Sequence, residues 1–163
     1  MAWTMQYTGL TEFSESLNEL ANAADDIASK GLYDGARVIA DAIAEAVDSL
    51  PIDNRYMPTR GKPLNVIGRK DLHEVKAALG IAKFRHEMYS VDTSVGFDGY
   101  LSRKEKNYPN GVPIPMVVAS IEHGSSFRKK NPFIRKAANA MKAKAQAAIA
   151  AAGLKMVDDI MKK

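Results

Sequence analysis

The chain has 163 residues and no cysteine, which excludes disulfides, zinc–thiolate sites and thiol nucleophiles. It has only three histidines, His73, His86 and His123. A metal site needs three or four ligands, commonly histidines at helical spacing. These three lie far apart, and HEVK at 73 and HEMY at 86 lack the second histidine of a zincin helix. The phosphate-cradling loop of nucleotide enzymes is missing too, because Gly61-Lys62 is followed by Pro63 where a P-loop requires serine or threonine. Ser120, Ser125 and Ser126 sit near His123 without the GxSxG elbow that exposes a nucleophilic serine. Glu122 and His123 are adjacent, and neighbours in a helix do not face each other. The expectation is a protein without catalysis, cofactor or metal.

Long hydrophobic runs are also lacking. No stretch approaches the ~18 apolar residues of a membrane span. MAWTMQYTGL alternates polar and apolar residues and offers no apolar signal core. These features lead us to expect a soluble protein made in a cytoplasm, with no membrane partner.

What is present is ordinary in amount and uneven in placement. Apolar residues make up 46% and charged residues 26%, as in a globular protein, and the length fits one domain over 1–163. The net charge of +4 hides a gradient. Residues 1–54 carry ten acids and two bases, residues 55–100 eight bases and five acids, and residues 101–163 thirteen bases and four acids. Opposite signs at the two ends of one domain suggest an acidic partner for the basic half, or copies of the chain meeting head to tail.

Period-two alternation at Trp3, Met5 and Tyr7 predicts a strand over 2–8. Leu10, Phe13, Leu17 and Leu20 fall at helical spacing behind Thr11 as a cap, predicting a helix from about 11 to 28. Gly31 is expected to break the chain. Leu32, Ala36, Ile39, Ile43, Ala46, Val47 and Leu50 mark a second helix that Pro51 stops, packed antiparallel to the first. Residues 52–70 read as a long irregular connection, and Asp71 as the cap of a short helix over 72–83 with Leu72, Val75 and Leu79 on one face.

Residues 88–97, MYSVDTSVGF, alternate as one strand. Residues 98–113 form a second long connection with the composition of a protruding hairpin. Pro115 suits the first turn of a helix through MVVASIEH that Gly124 ends, and Pro132 opens a long alanine-rich helix to the C-terminus. Phe133, Ala137, Met141, Ala145, Ala148, Ala152 and Met156 form its stripe. A core face of mostly alanine allows another helix, or another subunit, to come close. The predicted architecture is α+β: two N-terminal helices, a small antiparallel sheet of 2–8 and 88–97, and a long C-terminal helix.

The basic half supplies candidate contact residues. Arg103, Lys104, Lys106, Arg128, Lys129, Lys130, Arg135 and Lys136 could neutralise phosphates, with Tyr100, Tyr108, Phe127 and Phe133 interleaved as stacking surfaces. No helix-turn-helix, RRM or KH pattern accompanies them, so sequence-unspecific DNA contact is the form such binding would take.

Gly9-Leu10 opening a helix, an alanine-rich helix ending at Pro51, a strand ending VGF, the block Val118-Ala119-Ser120-Ile121-Glu122-His123-Gly124 and the block Pro132-Phe133-Ile134-Arg135-Lys136-Ala137 occur in that order. This succession resembles the tail-component, or tail-completion, family of long-tailed bacteriophages, also described as head-tail joining or neck proteins. Its members typically start like GLTEF and carry blocks like Tyr-Ala-x-x-Val-Glu-x-Gly and Pro-Phe-Leu-x-Pro-Ala. Here Val118 stands for the usual aromatic, His123 for an aromatic or apolar residue, and Lys136 for a frequent proline.

The resemblance implies a virion protein of the neck or upper tail, assembled in the host cytoplasm, that completes the tail or joins it to the head as a closed ring of six. Its partners would be further copies of itself, the connector, the terminator and the tail tube. A tail terminator ring is the neighbouring alternative. The eight cations named above, with Glu122 as a structural carboxylate and Phe133 as an anchor, are the expected oligomer or partner interface.

Overall fold

The computed structural model describes residues 10–54, 63–88 and 90–162. Its elements are α1 (Leu10–Asn22), α2 (Ala24–Asp48), α3 (Arg69–Ala77), β1 (Leu79–Ile81), β2 (Arg85–Glu87), β3 (Ser90–Asp92), β4 (Val95–Phe97), α4 (Ile114–His123) and α5 (Phe133–Met161). The fold is α+β with a long C-terminal helix, as expected. The strand expected at 2–8 lies outside the described residues.

The first correction concerns the N-terminal helices. Gly31 does not break the chain; it lies buried inside α2. The joint falls at Ala23, and it barely interrupts the helix, since Ala23 N–H donates to Glu19 O and Ile27 N–H to Ala23 O at 2.9 Å each. α1 therefore continues into α2 and does not fold back on it. The helix that runs antiparallel to α2 is α5. Ile27 lies beside Gly153, Gly31 beside Ile149, and Gly35 beside Ile149 and Ala145. A β-carbon on Gly35 would stand 2.5 Å from Ile149 Cγ1, and one on Gly31 3.1 Å from the Ile149 carbonyl. The glycines set how closely the helices approach. The seven positions of the α5 stripe are all buried or half-buried, although Gly153 leaves the helix unbroken.

The hydrophobic core gathers at one end of this pair. Ile43 and Val47 of α2, with Leu50 just beyond its end, meet Leu72 and Val75 of α3, Val117, Val118 and Ile121 of α4, and Phe133 of α5. Val47 and Val75 are fully buried, each contributing about 1.5–3 kcal/mol of burial. The opposite end is an arm of α1, the start of α2 and the end of α5. There Phe13 remains 53% exposed and Leu17 48%.

The expected strand over 88–97 is two short strands. β4 pairs antiparallel with β1, Ile81 facing Val95, and β3 with β2, Arg85 facing Asp92. Between these ladders residues 82–84 oppose 93–94. This two-against-three mismatch is a bulge on the 82–84 side, while burial keeps alternating along 90–97. The short helix starts at Arg69 and not after Asp71, and ends at Ala77, so that Leu79 belongs to β1. Its cap is remote: Arg69 N–H donates to Asn54 Oδ1 at 3.0 Å.

Candidate assembly surface

α4 begins with Pro115 in its first turn and ends at Gly124, whose φ of +83° lies in the region open to glycine. That turn sends the chain through a clip, residues 125–131, back against residues 64–66. Ser125 N–H donates to Arg128 O at 2.9 Å, Lys129 N–H to Leu64 O at 3.1 Å, and Arg128 Nη1 to Val66 O at 2.6 Å. Asn131 N–H donates to Ile121 O at 2.8 Å, and α5 starts two residues later.

The first turn of α5 contains no acid and carries Arg135 and Lys136, the wrong sign for the positive end of a helix dipole. Glu122 supplies the missing negative charge. Its Oε2 accepts Ile134 N–H at 2.9 Å and its Oε1 accepts Arg135 N–H at 3.2 Å. Two of the orphan donors of the helix are thus satisfied by a buried carboxylate.

The ten candidate interface residues fall into two groups. Glu122, Arg128 and Phe133 are buried within the protomer, Glu122 as the structural carboxylate and Phe133 as the anchor that were expected. Among the rest, Arg103 is half-buried and tied to Asp71 of α3 at 3.5 Å and to Glu105. Lys104, Lys106, Lys129, Lys130, Arg135 and Lys136 are exposed.

The 98–113 segment is a hairpin-like loop, as its composition suggests, with its base anchored in the core. Leu101 N–H donates to Val112 O at 2.9 Å, and both side chains are buried. The loop is also clamped to α3. Ser102 N–H and Oγ–H donate to the two oxygens of Glu74 at 2.6 and 2.5 Å. The Ser102 hydroxyl, then its backbone N–H, hold the Glu74 carboxyl below its ordinary value.

Sequence reasoning missed a groove. Between the C-terminal half of α2 and the N-terminal half of α5 runs an open groove of about 460 Å³, floored by Ala42, Ala46, Ala137 and Met141. Glu45 stands on its α2 side and Lys136 on its α5 side. The alanine stripe was its only signal in the sequence. Asp41, one turn before Glu45 on α2, is exposed, and Lys142 and Lys144 are exposed further along α5. Among the described residues no ion pair joins α2 to α5, although they pack along their length; Asp48 pairs with Lys76 of α3 instead.

Among the described residues, neither Ser120 nor Glu122 is hydrogen-bonded to His123. That residue is exposed, Ser120 Oγ donates to Val117 O at 2.6 Å, and both Glu122 oxygens serve α5. Among the described residues no group of three or more His, Asp or Glu could hold a metal, and no helix is long and apolar enough to cross a membrane.

No protein-family model, curated protein or solved structure matches the chain. Fold and surface together define an α+β protein with a compact end, a helical arm and two packed helices of opposite outward charge.

Proposed function

We propose that this chain is a structural virion protein of a long-tailed bacteriophage, acting at the neck or upper tail to complete the tail or join it to the head. It acts without catalysis, as a ring of copies in head-to-tail contact, six being the number that the sequence resemblance implies. The observation that carries this reading is the polarity of the α2–α5 pair: an acidic wall and a basic wall on packed helices, with no ion pair between them among the described residues. Charges left uncompensated within a protomer are available to a neighbour, and a heterologous contact brings one patch against a different one. Glu122 joins the 118–124 block to the 132–137 block through the first turn of α5, so the two blocks on which the resemblance rests act as one structural unit.

The test is the mass of the purified protein in solution across concentration, at low and high salt, with electron microscopy of the largest species. A closed ring that loosens as salt rises supports the reading. A monomer at every concentration overturns self-assembly.

A second reading, sequence-unspecific DNA contact, is favoured by the exposure of Lys129, Lys130, Lys142 and Lys144. Its signature is DNA affinity that falls steeply with salt in a well-folded monomer.

A further inference from the structure

α1 is an amphipathic helix, and among the described residues nothing covers Phe13 and Leu17 on its apolar face. At about 100° per residue, Phe13, Leu17 and Leu20 share one stripe, Glu12 and Glu19 fall on one flank of it, and Glu15 lies on the far face. Ser14 and Asn18 occupy the other flank, so one flank is acidic and the other neutral. Phe13 and Leu17 are exposed, and the antiparallel pairing of Ile27 with Gly153 and Gly31 with Ile149 brings Met161 alongside Leu20.

The groove between α2 and α5 has the complementary pattern. Its floor is apolar, its α5 wall bears Lys136 and its α2 wall bears Glu45; beyond the groove, Lys144 is exposed two turns further along α5 and Asp41 one turn earlier on α2. Its floor from Phe133 to Met141 is about 12 Å long, and the α1 stripe from Phe13 to Leu20 about 10 Å.

We propose that α1 of one copy docks in the α2–α5 groove of the next, Phe13 and Leu17 on the alanine floor, Glu12 and Glu19 toward the α5 wall and Ser14 and Asn18 toward the α2 wall. This deepens the proposed assembly role and rests on it. The occupant is a second copy because the chain cannot reach its own groove. Helical hydrogen bonds run through the α1–α2 joint, and the 29 positions from Phe13 to Ala42 place them roughly 40 Å apart. The contact is heterologous, helix in groove, and repeats until it closes into a ring or extends as a filament.

The experiment is sedimentation velocity at low salt on four samples: the natural chain, Phe13→Ser/Leu17→Ser, Ala140→Trp in the groove, and an equimolar mixture of the two variants. The altered side chains are exposed, and circular dichroism verifies that helix content is kept. The natural chain assembles, and each variant alone associates at least about tenfold more weakly, because it keeps only one working surface. The mixture forms one-to-one dimers and nothing larger.

Variants that assemble like the natural chain, or a mixture that stays monomeric, overturn this docking and leave the ring reading standing. A natural chain that never assembles overturns both. Lys136→Glu/Lys144→Glu provides an independent groove variant should Ala140→Trp unfold. Assembly is lost in it and restored by adding Glu12→Lys/Glu19→Lys to the same chain; failure of that restoration also overturns the proposal.

Discussion

Oε2 of Glu122 accepts the backbone N–H of Ile134 at 2.9 Å, from 12 residues back along the chain. With the second bond to Arg135 N–H, one buried carboxylate fixes where α5 begins and opposes the two cations in its first turn. Removing it leaves two helix donors without a partner in a buried site, and each charge-assisted bond contributes roughly 1.5–3 kcal/mol. Glu122→Ala should therefore destabilise the fold by about 2–4 kcal/mol in urea unfolding. Glu122→Gln, which keeps an acceptor oxygen and loses the charge, should cost about half as much. Equal stability of all three chains would show that the cap contributes nothing.

The packing of α2 on α5 makes opposite forecasts for two glycines in helices. Gly35→Ala gains about 1 kcal/mol of helix propensity and pushes a methyl to 2.5 Å from Ile149 Cγ1 and 3.2 Å from the Ala145 carbonyl. Overpacking of that kind costs about 1–3 kcal/mol, so the variant should melt lower, with Ile149→Val restoring part of the loss. At Gly153 the nearest atom to such a methyl is Ile27 Cγ2 at 3.8 Å, ordinary contact. Gly153→Ala should raise stability by about 0.5–1 kcal/mol. Thermal melts of the three variants decide between this account and one in which both glycines are merely weak helix formers.

That contrast shows why the sequence was legible in some places and opaque in others. The stripes of α2 and α5 could be read because apolar spacing reports which face is buried, whatever buries it. Gly31 was misread because a glycine that breaks a helix and one that admits a neighbouring helix look alike until the neighbour is placed. β1 and β2 escaped notice because the bulge at residues 82–84 shifts the alternation in the middle of the hairpin. Asp71 looked like a cap, while the group that accepts Arg69 N–H is Asn54, 15 residues earlier; partners so distant leave no local pattern. The exposure of Phe13 and Leu17 in α1 could not be read from the sequence, because periodicity gives the direction of an apolar face and not whether a neighbour covers it.

The loop at 98–113 should separate into a structural base and a free tip. Leu101 is 1% exposed, and truncating a buried leucine costs about 2–5 kcal/mol, so Leu101→Ala should lower the unfolding midpoint sharply. Lys104→Ser/Lys106→Ser, at exposed positions in the tip, should stay within about 0.5 kcal/mol of the natural chain. If tail or neck partners touch this tip, the lysine variant should lose attachment at full stability. Lost attachment with lost stability would instead place the two lysines in the fold.

The Glu74–Ser102 clamp ties the same loop to α3 and gives it a pH dependence. Because the folded-state carboxyl is held below its ordinary value, the folded state binds this proton less readily than the unfolded chain does. The stabilisation is fully present above the ordinary glutamate range and is lost as pH falls through the lowered folded value. Ser102→Ala removes the hydroxyl, the larger of the two causes, and leaves the backbone N–H. Unfolding followed from neutral pH into acid should therefore show the natural chain ahead of Ser102→Ala at neutral pH, with the gap closing on acidification. Glu74→Gln should lack that part of the pH dependence altogether. A gap between natural and Ser102→Ala chains that persists unchanged into acid would mean that the hydroxyl acts through packing and not through the charge of Glu74.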